Sequence, residues 1–366
     1  TEETLLDARQ HNYLAAIAEA GGKLGLSWIE ISTGEFLCQP IQADYLAAAL
    51  ARIGPGEVLV SDTLIEKPTL FETLADWRDK LSVLPPARFD SANGEKRLQS
   101  LFGVKTLEAF GDFGRAEQAA AAALVDYVEL TQKGQLPRIA HLKQLSTTQV
   151  MEIDAATRRN LELTLTLSGE RKGSLLSIID ATLTGAGARL LASHLAAPLR
   201  EPAEIDTRLD MVQFFMDGER LCEDVRGGLK RCPDIARALS RLTLGRGGPR
   251  DLGAVRDGLA MSATLRAVLE DPTVSGVPQG IEAAVRGLGH HGELIERLAR
   301  ALSPDLPLYV RDGGFIAEGY AAELDQFRLL RDESRRLIAG LQSRYVEATG
   351  ISALKVKHNN VLGYFV

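Results

Sequence analysis

Short apolar runs broken by glycine open the chain. "HNYLAAIAEA", "KLGLSWIEIS" and "GEFLCQP" are separated by Gly-Gly and Thr-Gly, which predicts three antiparallel strands in a meander. "ADYLAAALARIG" then repeats its apolar residues at three and four and stops at Gly54, so a helix follows. "EVLVS" reads as a buried strand, and "KLSVLP" as another that ends at Pro85 and Pro86. "FDSANGEKRLQSLFG" and the Ala-rich "RAEQAAAAALVDYVELTQKG" predict two further helices, the second closed by Gly134. Residues 1–134 therefore read as a small α/β domain.

"QLPRIAHLKQL" reads as a connector, with Pro137 breaking the helix before it. Beyond it the period is helical almost throughout. "LLASHLAAPL", "IDTRLDMVQFF", "DIARALSRLTL", "DLGAVRDGLAMSATLRAVL" and "ELIERLARAL" are punctuated by Gly and Pro, which predicts a helical domain over 135–352. Its last element is the longest. Leu324, Phe327, Leu330, Leu337, Leu341 and Tyr345 mark one stripe between Tyr320 and Thr349, and one unbroken helix of that length reaches about 45 Å.

The chain ends on "SALKVKHNNVLGYFV". Leu354 and Val356 alternate with Lys355 and Lys357, Asn359 and Asn360 form a turn signal, and an apolar run follows from Val361. A lone two-stranded ribbon is marginal in water. Val361 to Val366 are thus expected to be disordered, packed on a neighbour, or loosely paired with Leu354 to Lys357. The fold class is α+β and multidomain: a small α/β domain, a large all-α domain, and a terminal hairpin over 353–366.

With 366 residues, 45% hydrophobic and 25% charged, the chain has room for two or three ordinary globular domains. No run of about 18 apolar residues and no signal-peptide pattern occurs, which predicts a soluble intracellular protein. Cys38, Cys222 and Cys232 lack CxxC spacing, so a disulfide frame or zinc site is not expected, and buried apolar roles are. "TEETLLDARQ" lacks an initiator Met, and both ends are expected to be cut. The net charge is -7, yet Arg226 to Asp257 hold eight Lys or Arg against three Asp. That excess fits solvated helix faces or a phosphate-contacting stripe.

No catalytic constellation emerges. "GERKGS" and "GRGGPRD" carry glycines without the Lys-Ser/Thr pair of GxxxxGK[ST], His290-His291 lacks metal-ligand spacing and reads as loop, and no GxSxG elbow occurs. Asp7, Glu30 and Asp62 are the carboxylates available to a nuclease, but their spacing does not cluster them. "YVRDGGFIAEGY" is turn material that shapes the entry to the last helix. Arg158, Arg159 and Asn160 in "EIDAATRRNLEL" fit either a phosphate or, in preference, carboxylates and helix carbonyls at a domain junction.

Taken in order, "DARQHNYLAAI", "IDAATRRNLEL", "TGAGARLLASHLAAPL", "PRDL", "VRDGGFIAEGYAAELDQFR" and "LKVKHNNVLGYFV" resemble the MutS family of DNA mismatch-repair proteins. The resemblance covers essentially the whole chain. It implies an RNase H-like connector domain up to about Gly134, then the helical core and lever, then the first strands of a DNA clamp. The family's mismatch-reading Phe-x-Glu domain and its ATPase are not in this sequence, so no mismatch reading and no ATP turnover are expected of it. In the whole family member it implies a cytoplasmic, nucleoid-associated protein with ATP and magnesium as cofactors. The implied partners are double-stranded DNA met non-specifically through the clamp, a MutL-type protein and a second copy, with no membrane.

Lys355 and Lys357 become candidate phosphate contacts, although lysine on an edge strand also guards against strand pairing. Lys96 and Arg97 become a candidate docking surface for the MutL-type partner. His194 stands where the family commonly has Trp, and a core or buried polar role is expected. The alternative is a helical interaction scaffold of a MutS-like recombination protein without mismatch recognition.

Overall fold

The computed structural model describes residues 7–132, 138–145, 150–359, 361 and 363–366. The expectations placed on Gly134, Pro137, Asn360 and Leu362 lie outside these. The chain divides into two compact units, 1–295 and 296–366.

The first unit opens with β1 (Tyr13–Ala20), β2 (Lys23–Glu30) and β3 (Phe36–Ile41), the expected antiparallel meander. α1 (Ala43–Ile53) follows and ends at Gly54, whose φ of 61° is left-handed, so the Gly stops the helix as its position predicts. β4 (Glu57–Ser61) pairs parallel with β1; after the short α2 (Asp62–Ile65) and α3 (Phe71–Ala75), β5 (Leu81–Leu84) pairs parallel with β4. α4 (Ser91–Phe102) and α5 (Arg115–Thr131) come next, and Glu117 closes the start of α5 by accepting from the Gly114 N–H at 2.8 Å. β6 (Lys143–Gln144) runs parallel to β3 at the sheet edge, giving the order β5-β4-β1-β2-β3-β6. This stretch reads in the sequence as plain connector. Leu142, almost fully buried in the core, draws it onto the sheet.

Strand alternation sends residues to two cores. Leu14, Ala16 and Ala18 of β1 meet Leu98 of α4 and the Ala-rich face of α5, while Ala15 and Ile17 meet Leu46, Ala49 and Leu50 of α1. A strand covered on both faces is apolar at consecutive positions, which is why "LAAIA" shows no polar break. The result is a three-layer α/β/α unit with the expected RNase H-like mixed sheet.

The all-α region begins with α6 (Ala155–Asn160), α7 (Leu175–Ile179), α8 (Gly185–Ala196), α9 (Pro202–Asp217), α10 (Glu219–Leu229), α11 (Ile235–Thr243), α12 (Pro249–Leu269) and α13 (Gln279–Gly287). His290 and His291 lie in the loop before α14 (Gly292–Ala301), as expected, with His290 against Arg266 of α12. The basic stretch from Arg226 to Asp257 follows the first of its two expected arrangements, solvated helix faces: Arg226, Lys230, Arg231, Arg246 and Arg250 are exposed on or beside the helices. Arg241 pairs with Asp251, Arg226 donates to the Ala181 carbonyl, Arg246 donates to Gln132, and Arg237 is buried against carbonyls. Of these four guanidinium groups Arg237 alone is buried. Of the cysteines, Cys38 is fully buried, whereas Cys222 and Cys232 are half-buried.

In the second unit, Leu302 bridges Ile316, and Gly313 and Gly314 turn the chain after a short 3-10 segment, Val310–Asp312. The long helix expected from Tyr320 to Thr349 is two helices, α15 (Ala322–Asp332) and α16 (Ser334–Thr349). The ladder of hydrogen bonds persists across the break, with the Glu333 N–H on the Leu329 carbonyl and the Leu337 N–H on the Glu333 carbonyl, both near 2.9 Å. Glu333 itself departs to φ -99°, ψ 9° within a polar Asp-Glu-Ser sequence. No described residue of α15 or α16 is buried, and Phe327 and Leu330 of the stripe are more than half exposed.

The chain closes with β7 (Lys357–Asn359) and β8 (Gly363–Phe365), paired antiparallel with Lys357 opposite Phe365. The hairpin therefore forms, one step later in the chain than expected. Leu354 to Val356 stay outside it, and the Val356 N–H instead donates to Gln342 Oε1 of α16 at 3.0 Å.

Candidate functional site at the domain junction

The segment from Asp7 to Asn12 enters the sheet, and the helical region grips its backbone. α8 starts in "TGAGAR": the Thr184 hydroxyl caps the helix by accepting from the Gly187 N–H at 2.9 Å. Gly185 is required next to it, because a Cβ there would lie 2.6 Å from the Ala8 carbonyl oxygen. One turn on, buried Arg189 donates from Nη1 to that carbonyl at 2.7 Å and pairs through Nη2 with Asp234 at 2.8 Å.

Asp234 caps α11 by accepting from the Arg237 N–H, so the same carboxylate ties two helices together. Arg237 donates to the Asp7 carbonyl at 3.1 Å and the Gln10 carbonyl at 2.7 Å, and its Nη2 lies 4.0 Å from Glu30 at the end of β2. Glu30 is wholly buried, yet it accepts from the Ser32 hydroxyl and the Asn12 N–H. A buried carboxylate needs such partners.

Two side chains of the segment complete the grip. Arg9 donates to Asp180 Oδ1 at 2.8 Å and to the Thr182 hydroxyl at 2.7 Å, while Arg171 holds the other Asp180 oxygen at 2.9 Å. Burial opposes ionisation of Asp180, but hydrogen bonds from Thr182 and Arg9 outweigh it and bring its pKa to about 2. His11 places Nε2 3.1 Å from the Arg189 carbonyl and 3.0 Å from the Ser193 hydroxyl, and stacks on Tyr13. A carbonyl partner assigns the proton to Nε2, and buried Nδ1 has no partner. Desolvation lowers the His11 pKa against the opposing hydrogen bond to Arg189.

Of the residues singled out in the sequence, Arg158 is at this junction. It is buried, and Nη2 donates to the Ala196 carbonyl at the end of α8 at 2.8 Å. Arg159 and Asn160 are exposed and are not brought to it. Lys96 is exposed on α4, whereas Arg97 joins Arg88 on Asp126 of α5. Lys355 and Lys357 are exposed, with Lys355 outside the strand. His194 is half-buried on α8, and burial together with nearby Arg208 lowers its pKa.

Asp7, Glu30 and Asp62 do not converge, and among the described residues no three His, Cys, Asp or Glu are grouped to hold a metal. Glu30 is committed to the junction instead. Arg9, His11, Asp180, Arg189 and Arg237 escaped sequence reasoning. Their one local signal is "TGAGAR", where two glycines opening a helix beside an Arg mark a close approach.

This junction joins two regions that match separate family descriptions. The family description "MutS domain II" matches residues 12–140, and "MutS domain III" matches 156–349, more than half of the chain. The chain belongs to the MutS family. It is 49% identical over 374 residues to the DNA mismatch repair protein MutS of Rhodopseudomonas palustris, covering all of this chain and 40% of that protein. The MutS of Ruegeria pomeroyi is 48% identical over 366 residues and that of Nitrobacter winogradskyi 50% over 375, with all of this chain and 41% and 42% of those proteins covered. The chain thus spans about two fifths of the length of these MutS relatives. The junction described above lies between the regions matched as MutS domains II and III. No helix among the described residues is long and apolar enough to cross a membrane.

Proposed function

We propose that this chain supplies the connector, the core and lever, and the clamp root of a MutS-type DNA mismatch-repair ATPase, and that it couples the ATP state of that protein to its hold on DNA. The observation that carries the reading is the grip of Arg189 and Arg237 on the Asp7–Gln10 backbone. Five interlocked groups, with Asp234, Glu30 and Arg9, fasten a sheet to a helical region through buried, charge-assisted contacts. Such a joint passes a displacement of one body to the other instead of absorbing it.

The domains are read as connector over 1–134, core and lever over 135–352, and clamp root over 353–366. In the whole protein, ATP and magnesium drive the cycle, double-stranded DNA is held through the clamp, a second copy completes the ring, and a MutL-type partner docks on the connector beside Lys96 and Arg97. Exposed Lys96 suits a docking contact. Arg97 shapes the same face through its pair with Asp126. Arg158 acts at the junction, with Arg159 and Asn160 beside it on α6.

The test is fluorescence anisotropy with labelled homoduplex and G·T heteroduplex across a salt series, with ATP turnover measured in parallel. Weak, salt-sensitive binding that is equal for both duplexes, without turnover, is the expected result. Tight discrimination of the heteroduplex overturns it.

A further inference from the structure

A cavity of about 370 Å³ lies between the α1 side of the sheet and the helices α6 and α8. That volume is within the range of small-molecule sites. Tyr13, Trp28, Leu37 and Ile53 form the wall on the sheet side, and Leu176 and Arg158 face them from the helical side.

Its polar groups are out of balance. Arg158, only 7% exposed, spends Nη2 on the Ala196 carbonyl and leaves Nε and Nη1 without a hydrogen-bond partner. Arg52 stacks over Trp28 and spends Nη2 on Gln39 Oε1 at 2.6 Å, and its buried Nε is also unpartnered. The two cations are close enough that Arg52 lowers the Arg158 pKa, second to burial.

The nearby carboxylates answer them only in part. Among the described residues, neither Glu35, which lines the cavity, nor Glu152 forms an ion pair with Arg52 or Arg158, although the Glu152 charge acts on both cations from a distance and favours their charged forms. Burial and the Glu30 charge also favour the neutral form of Glu35. Arg9 and Arg171, which also line the cavity, share the single carboxylate of Asp180. Buried guanidinium donors without acceptors are costly, and a water accepts a hydrogen bond without relieving the repulsion of two cations.

We propose that this cavity binds a small oxyanion or carboxylate ligand, gripped by Arg52 and Arg158 with its body against Trp28. The guanidinium fork matches the oxygen spacing of phosphates and carboxylates. An occupant touches both the domain II and the domain III regions, so it fastens the junction beside the Arg189–Arg237 grip, whose Gln10 and His11 also line the cavity.

Trp28 and Trp77 are the two tryptophans, and Trp77→Phe leaves Trp28 as the reporter in the cavity wall. Iodide, titrated against chloride at constant ionic strength, is expected to quench Trp28 saturably. Inorganic phosphate or succinate reverses the quench, and whichever acts at lower concentration identifies a tetrahedral oxyanion or a carboxylate as the ligand class. Arg158→Gln and Arg52→Gln on this background each weaken that competition at least tenfold, with far-UV circular dichroism reporting the fold. If Arg158→Gln does not fold, Arg52→Gln carries the comparison. Iodide quenching that stays linear like that of neutral acrylamide, absence of competition by both anions, or competition unchanged in a folded variant overturns the proposal.

Discussion

Arg189 reaches across 181 positions of sequence to donate to the Ala8 carbonyl at 2.7 Å, and Gly185 makes room for that carbonyl one turn earlier in the same helix. The contact is between a side chain and a backbone group, so it constrains where the strand enters the sheet without dictating which residue sits at position 8. A grip of this kind fixes geometry through the fork of the guanidinium group, which a lysine lacks.

Arg237→Met removes donors from the Asp7 and Gln10 carbonyls and the nearest cation from buried Glu30. Urea unfolding is expected to show a loss of about 2–4 kcal/mol, the scale of breaking a buried charged network on one side. Arg237→Lys is expected to recover less than half, since one ammonium group cannot reach both carbonyls in the same geometry. Limited proteolysis of the first 12 residues should accelerate in both variants.

His11 makes the junction sensitive to mild acid. Its folded pKa lies below the ordinary 6.5, so the unfolded chain binds the proton more readily and stability falls as pH drops below about 6.5. The slope is at most about 1.4 kcal/mol per pH unit for one such group. His194, lowered in the same direction, adds slope of the same sign. Asp180 acts in a separate window: its contribution is complete above about pH 4 and is lost as pH falls toward its folded value of about 2. Chemical denaturation from pH 5 to 8 should show a shallower slope in His11→Gln and an unchanged one in Asp180→Asn.

The connector sheet was legible because its signals are local. Gly-Gly and Thr-Gly separate β1, β2 and β3, Gly54 ends α1, and alternation within "YLAAIAEA" serves two cores at once. The junction was not legible, because Arg9 with Asp180 and Arg237 with Gln10 join positions 171 and 227 residues apart, and no periodicity encodes such a pairing. Arg158 stood out because an Arg-Arg-Asn run inside an apolar helical pattern is locally anomalous, and its side chain is buried on the Ala196 carbonyl. The break at Glu333 was missed for the opposite reason: neither Pro nor Gly marks it, and the helical hydrogen bonds continue across it.

The helices α15 and α16 should open far more easily than the sheet. None of their described residues is buried, whereas Ala15, Ala16 and Ile17 of β1 are wholly so. Hydrogen exchange followed by mass spectrometry is expected to show α15 and α16 exchanging through local opening, with peptides from β1 and β2 protected up to the global unfolding free energy. Equal protection of the two regions would mean that the apolar stripe of Phe327 and Leu330 is covered in solution.

Lys355 and Lys357 separate the two roles considered for the terminal hairpin. As phosphate contacts, each releases counterions on binding duplex DNA, so the slope of log Kobs against log salt should become less steep by about 0.9 for each lysine replaced by alanine. The loss should be the same for homoduplex and G·T heteroduplex, because phosphate contacts carry no base information. As guards of a strand edge, the lysines leave the slope unchanged on removal, and the double alanine variant aggregates instead, since Lys357 stands opposite Phe365 on a ribbon whose Tyr364 and Val366 are exposed. Anisotropy titrations at several salt concentrations, with light scattering on the same samples, distinguish a change in slope from a change in association. A shallower slope in monodisperse samples assigns the lysines to DNA, and an unchanged slope with a rise in scattering assigns them to edge protection.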